Sequence, residues 1–235
     1  MKALILNSGI GSRMGDSTHS KPKCMTLLAN GQSILSRQIN QLESANITEI
    51  IITTGPFHTQ LEEHAYKSSR TARLSFINNP IYANTNYIYS IYLAREQLDD
   101  DIILLHGDLV FSDDVLYNIL DFNGSVVITS STSPLPEKDF KAIISNDRII
   151  TVSVDCFENA VASQPLYRLT RKEWLIWLSE IERFIASGQI TCYAENAFNQ
   201  ISHQIHLFPF DIKDQLCFEI DTPEDLERIN TLMQS

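Results

Sequence analysis

Hydrophobic and polar positions follow two rhythms along the first half of the chain. Short apolar runs rich in β-branched residues, at Ala3–Asn7, Glu49–Thr54, Leu74–Asn78 and Asp101–His106, read as strands. Between them, Ile34–Ser44, Phe57–Lys67 and Tyr87–Leu98 carry apolar residues at helical spacing. Strands alternating with helices predict βαβ units and a mainly parallel sheet.

The second half is less regular. Ser125–Ser131 reads as a strand, and in Lys141–Val154 the pair Asn146-Asp147 separates two apolar runs, which predicts a hairpin. Trp174, Leu175, Leu178, Ile181 and Ile185 share one face of a helix over Arg171–Ser187, with Gly188 placed to stop it. His203–Phe210 and Gln215–Ile220 read as late strands. Thr222-Pro223-Glu224-Asp225 then opens a last helix with an N-cap, a proline at the first helical position and acids in the first turn.

Composition narrows the classes this pattern allows. A chain of 235 residues, 43% apolar, suits one domain, since domains of roughly 100–250 residues bury a continuous core. No repeat and no Pro/Gly/Ser linker divides it, so a single domain over residues 1–235 is expected. No window approaches the roughly 20 apolar residues of a membrane span, and Met1–Asn7 runs straight into a strand pattern; a cytoplasmic protein without membrane contact is expected. The net charge of −11 argues against a nucleic-acid surface, so a phosphate ligand would need a local cationic site. Cys24, Cys156, Cys192 and Cys217 are too scattered for a zinc site or disulfide framework and read as reduced thiols.

Such a local site follows the first strand. Leu6-Asn7-Ser8-Gly9-Ile10-Gly11-Ser12-Arg13-Met14 is a glycine-rich turn whose backbone N–H groups can surround a phosphate at the carboxyl edge of the sheet. It matches neither the dinucleotide fingerprint nor the Walker pattern. Arg13 and Lys21-Pro22-Lys23 bring three cations into the same loop of an acidic chain, a cluster suited to a triphosphate. Asp108, at the end of the fourth strand, and Asp221, before the last helix, are candidate acids, each of which can also be read as an ordinary element-end residue.

Leu6–Met14 with Lys21-Pro22-Lys23 resembles the L-A-A-G-x-G-x-R…P-K signature of sugar-1-phosphate and related nucleotidyltransferases, with Asn7-Ser8 in place of Ala-Ala. Asn79–Leu93, which contains Asn86 and Ser90, is similar to the N-x-x-Y-x-x-x-N-N-x-Y-S-L-Y-L segment of small phosphocholine cytidylyltransferases and their phosphonate-using relatives. The likeness runs from residue 1 to about 120 and resumes at Phe218–Thr222, which resembles their E-I-D-S/T element. It implies a Rossmann-like three-layer nucleotidyltransferase fold with a mainly parallel mixed sheet, a nucleotide-binding half (1–120) and an acceptor-binding half (121–235). CTP is the implied donor, Mg²⁺ the cofactor and pyrophosphate a product.

By the same resemblance, Leu6, Asn7, Ser8, Gly9, Gly11, Asn86 and Ser90 would contact the nucleotide. Arg13 would act on the leaving pyrophosphate, Lys23 on the α-phosphate, and Asp108 and Asp221 on Mg²⁺. On the acceptor side, Phe140-Lys141, Gln164–Tyr167 and Tyr193-Ala194-Glu195-Asn196 occupy the family's acceptor positions. Phe140, Lys141, Tyr193 and Glu195 are the candidates, and each can equally serve as a core or surface residue. An aromatic and an acid there could hold a cationic amine. Trp174 and Trp177 are more simply core.

The expected activity joins CTP to a small phosphate or phosphonate acceptor of the phosphocholine, phosphoethanolamine or 2-aminoethylphosphonate type. A sugar-1-phosphate nucleotidyltransferase and a non-catalytic nucleotide-binding regulatory domain are the alternatives. A homodimer stays open.

Overall fold

The apolar runs become strands buried on both faces, and their side chains divide by parity. In β1 (Lys2–Asn7), Ala3 and Ile5 enter one core while Leu4 and Leu6 enter the opposite one; in β4 (Ile102–His106), Ile103 and Leu105 part from Ile102 and Leu104 in the same way. Burial on both sides is why these strands read as unbroken apolar runs. The structure, a computed structural model, describes residues 1–9 and 21–234.

One layer over the sheet contains α1 (Ile34–Ser44), α2 (His58–Ser68) and α4 (Asp113–Asp121). The other contains α3 (Tyr87–Ala94), α5 (Arg171–Ala186) and α6 (Ala194–Ile201). Between them lie β1, β2 (Glu49–Thr54), β3 (Arg73–Asn78), β4, β6 (Ser125–Ser130), β9 (Ala160–Leu169) and β10 (Leu207–Asp211), in the order β10-β6-β9-β4-β1-β2-β3. A hairpin of β7 (Lys141–Ser145) and β8 (Arg148–Ser153) joins this sheet through β9. β1 pairs in parallel with β2 and β4, β2 with β3, and β6 with β10; β9 runs antiparallel to both β4 and β6. The expected three-layer α/β fold with a mainly parallel mixed sheet is what forms.

The predicted helices form within a few residues of their expected ends. Ser33 and Thr170 cap α1 and α5 with side-chain oxygens, and Gly188 leaves α5 at φ 81°. Thr222 and Asp225 make a reciprocal capping box on α7 (Pro223–Leu232). Asn146 and Asp147 both take positive φ in the β7–β8 turn, as a tight hairpin requires. Trp174 and Trp177 are fully buried, each indole N–H donating to a carbonyl, of Leu98 and Ala194 respectively.

Three differences from the expected strands bear on the site and its sheet. Pro165 masks β9, a central strand, in the sequence pattern; the β6–β9 register shifts between Val127 and Ile128, where the missing proline N–H leaves the ladder. The expected strand at residues 203–210 starts only at Leu207, after a turn. The third is β11 (Cys217–Glu219) pairing antiparallel with β5 (Leu109–Phe111), which sets residues 219–221 beside the end of β4.

Candidate active site

The carboxyl ends of β1, β3 and β4 open into a cleft of about 440 Å³, where open α/β sheets hold their ligands. β1 leaves the sheet through Asn7, Ser8 and Gly9, and two neighbouring glycines allow the close approach. A Cβ on Gly55 would lie 2.3 Å from the Ser8 carbonyl oxygen, and one on Gly107 would lie 1.7 Å from the Asn7 side chain. Gly11 and Arg13 lie outside the described residues.

Lys23 opens a short 3-10 turn (Lys23–Met25), and its ammonium enters the cleft. It donates to Asp108 Oδ2 at 2.6 Å and to Asp221 Oδ1 at 2.5 Å. Residues 198 positions apart thus meet at one atom, because Ile220 N–H donates to the Asp108 carbonyl at 3.0 Å and extends the β5–β11 pairing to Asp221. Burial works against the lysine charge, but the two carboxylates outweigh it and raise its pKa. Asp108 is held below the usual carboxylate range, since Lys23 and His106 overcome the burial that opposes its ionisation.

Asp108 Oδ1 is buried and has no hydrogen-bond partner among the described residues, and the same holds for Asn7 Nδ2 and Ser8 Oγ. Buried polar atoms in this state are costly unless a ligand completes them. All three residues line the cleft.

Glu219 adds a third acid beside Asp108. His106 Nδ1 and Glu219 Oε1 are 2.8 Å apart, and His106, Asp108 and Glu219 each offer an atom within 4.8 Å of the others. Burial and the charge of Asp108 push Glu219 up to about 7, against the pull of His106. Burial disfavours the imidazolium, yet Glu219 and Asp108 raise His106 above its ordinary value, so the pair keeps a proton between them.

Next to it is an aromatic wall. Tyr87 meets His106 edge-on at 4.8 Å and Tyr193 at 5.8 Å, and Phe140 meets Tyr193 at 5.2 Å. Behind the wall Glu195, only 1% exposed, accepts hydrogen bonds from the hydroxyls of Tyr87 and Tyr167, the latter at 2.8 Å. Burial and the Glu195 charge hold both phenols protonated, far above their ordinary value.

Leu6, Asn7, Ser8, Gly9, Lys23, Asn86, Ser90, Asp108, Asp221, Phe140 and Tyr193 all border this cleft. Asn86 caps α3, accepting from Tyr87 N–H, and the Ser90 hydroxyl accepts from buried Asn79. Two acceptor candidates need correction. Lys141 does not reach the cleft: its fully buried ammonium donates to the carbonyls of Pro136 and Asp139. Glu195 stands one layer back, bound by tyrosines. The Gln164–Tyr167 segment is likewise part of β9, with Tyr167 buried beneath the wall.

Sequence reasoning passed over Tyr87, His106, Glu219, Asn79 and Asp139, which also border the cleft. Four of them lie inside or beside the quoted motifs; Asp139 had no signal beyond its neighbour Phe140.

The layered sheet and its edge cleft define the class: this is the architecture of nucleotidyltransferases. Residues 3–190 match the MobA-like NTP transferase domain, and the chain belongs to that family. It is 28% identical over 238 residues to a CMP-5′-(3-aminopropyl)phosphonate synthase of Streptomyces rubellomurinus, covering 96% of this chain and 37% of that protein. The chain thus spans little more than a third of that relative's length. It is 23% identical over 237 residues to a choline-phosphate cytidylyltransferase of Streptococcus pneumoniae, covering 100% and 99% of the two chains. The solved CTP:phosphocholine cytidylyltransferase from Streptococcus pneumoniae shares the fold, with TM-score 0.78 and 20% identity over 99% of this chain and 98% of that one. No described helix is long and apolar enough to cross a membrane.

Proposed function

We propose that the chain is a magnesium-dependent cytidylyltransferase that joins CTP to a small amine-bearing phosphate or phosphonate and releases pyrophosphate. One juxtaposition carries this reading. A cationic and acidic cluster for phosphate chemistry, Lys23 with Asp108 and Asp221, shares a cleft with an aromatic wall of Tyr87, Phe140 and Tyr193 backed by Glu195 and Glu219. Aromatic faces with negative charge behind them suit an ammonium head. The relatives named for aminopropylphosphonate and choline-phosphate chemistry support the same acceptor class.

Asp108 and Asp221 fit a magnesium ion: both supply hard oxygens, both already converge on one cation, and Asp108 Oδ1 awaits a partner among the described residues. They would hold the ion, which when bound supplies positive charge to the triphosphate oxygens.

The remaining work falls to the chain's own groups. The acceptor oxygen is already ionised, so it attacks the α-phosphorus in line without a general base as the bond to pyrophosphate breaks. Lys23, kept protonated, places its charge where negative charge grows on the α-phosphate. Gly9 offers backbone to the phosphates; Gly11 and Arg13 would join it by the family resemblance. The aromatic wall orients the acceptor's amine end and excludes water from it.

The test is pyrophosphate release from CTP with phosphocholine, phosphoethanolamine, 2-aminoethylphosphonate, 3-aminopropylphosphonate and sugar 1-phosphates, with and without Mg²⁺ and with UTP as control. The reading expects turnover with an amine-bearing acceptor only. Turnover restricted to sugar 1-phosphates overturns it, and nucleotide binding without turnover makes the chain a binding domain.

A further inference from the structure

Residues 131–140 contain no helix or strand, yet Lys138, Asp139 and Phe140 from this segment form part of the cleft border. A segment without its own hydrogen-bond ladder needs outside partners to keep one shape. At its far end the Phe140 carbonyl accepts from Ser163 N–H at 3.0 Å, which fixes Phe140 to β9.

At its near end Ser131 and Thr132 bond the carboxylates of Asp211 and Asp214, and the stretch between is held by Lys141. Its side chain is fully buried, and the ammonium donates to Pro136 O at 2.7 Å and Asp139 O at 3.0 Å. The Phe157 ring covers it, with Nζ 4.1 Å from the ring centroid, although the ring itself is 50% exposed. Burying an ammonium is expensive, and the cost is met only where several acceptors converge. Here the acceptors are main-chain carbonyls at both ends of one short stretch, so the hydrogen bonds act on the shape of the backbone. Phe140, just before β7, borders the cleft and the next side chain does not.

We propose that Lys141 is a positioning residue: its ammonium ties the loop at residues 136–140 into the form that presents Asp139 and Phe140 to the acceptor. It sets acceptor affinity without touching acceptor or nucleotide. The inference rests on the acceptor reading above for its kinetic consequence, while the tie itself can be tested without any substrate.

The experiment compares the unmodified protein with Lys141→Met, which keeps the apolar stem and removes the donors, and with Phe157→Leu, which uncovers the ammonium but alters only a half-exposed ring. Amide hydrogen exchange is read on peptides spanning residues 132–140, and steady-state constants are measured for CTP and for the preferred acceptor. Loss of charge-assisted hydrogen bonds should raise exchange in that segment and the acceptor KM each by about tenfold in Lys141→Met, with smaller changes of the same sign in Phe157→Leu. The CTP KM and kcat should stay within about twofold. Unchanged exchange in residues 132–140 in both variants overturns the tie. Faster exchange with an unchanged acceptor KM, or a parallel rise in both KM values, overturns the positioning role. Failure of the unmodified protein to use any amine-bearing acceptor counts against the proposed function, and is recognised without the variants. If Lys141→Met does not fold, Phe157→Leu decides by the same readings.

Discussion

Within the cleft Asp108 and Asp221 are held by the ammonium of Lys23, whereas behind the aromatic wall Glu195 is held by two phenols. The first arrangement places one ammonium between two carboxylates, an excess of negative charge on groups that stay partly open to solvent, with side-chain exposures of 22% and 14%. On the proposed function, an incoming phosphate would compete with the two carboxylates for this ammonium. The second arrangement is closed: Glu195 is 1% exposed, and removing a phenol would strand a carboxylate in the core. On the proposed function, the first would be a wall that exchanges partners during the reaction and the second a wall that keeps its shape and lends its negative charge to whatever binds in front of it.

The largest effect should follow from breaking the exchanging side. Asp108→Ala or Asp221→Ala should lower turnover by at least about a thousandfold with the fold retained, since each removes an acid from the proposed metal shell. Pyrophosphate release alongside circular dichroism checks this, and normal magnesium-dependent activity in a folded variant would free that residue from the role. Lys23→Ala should come next: kcat should fall about a hundredfold while the CTP KM rises by less, because the lysine charge matters most in the transition state. A rise in KM at constant kcat would make Lys23 a binding residue only.

Altering the closed wall should be milder and selective. An amine-bearing acceptor should be preferred over its hydroxyl analogue by about 1–3 kcal/mol, and Glu195→Gln should shrink that preference severalfold through the amine KM, with the CTP KM unchanged. Equal use of both acceptors by the unmodified protein would remove the charge effect from this wall.

The smallest effect lies on the surface. Glu43 is a carboxylate held by neutral donors, like Glu195 but in solvent: it accepts from Ser69 Oγ and from the amides of Arg70, Thr71 and Ala72. Its slight burial raises the pKa, yet these four bonds outweigh that and bring it below the ordinary carboxylate value. A depressed native pKa means stability that is present above the unfolded value of about 4.3 and lost as pH falls through the native one. Urea midpoints should therefore show Glu43→Gln less stable than the parent near neutrality, with the gap closing in acid; a gap independent of pH would show that shape, and not charge, makes this clamp.

How much of this was legible in advance differs between the walls. Gly9, Lys23, Asp108 and Asp221 lie at strand ends or helix starts, where chain direction alone sends them to the same edge of a parallel sheet. Lys141 and Glu195 lie at the expected positions but bond main-chain carbonyls and phenols; a motif position says nothing about which face of a strand or helix points inward. Glu195 sits on the buried face of α6, and Lys141, unlike Phe140, does not border the cleft.

The sequence by itself determined the alternating βαβ pattern, the helix caps and the hairpin turn, because each depends on residues within a few positions of one another. Tertiary structure alone decided that Pro165 would lie in a central strand, that His106 would meet Glu219 across 113 positions, and that Tyr87 and Tyr167 would share one carboxylate. Those partners are chosen by sheet order and by the β5–β11 pairing, and such long-range choices leave no periodic trace in the chain.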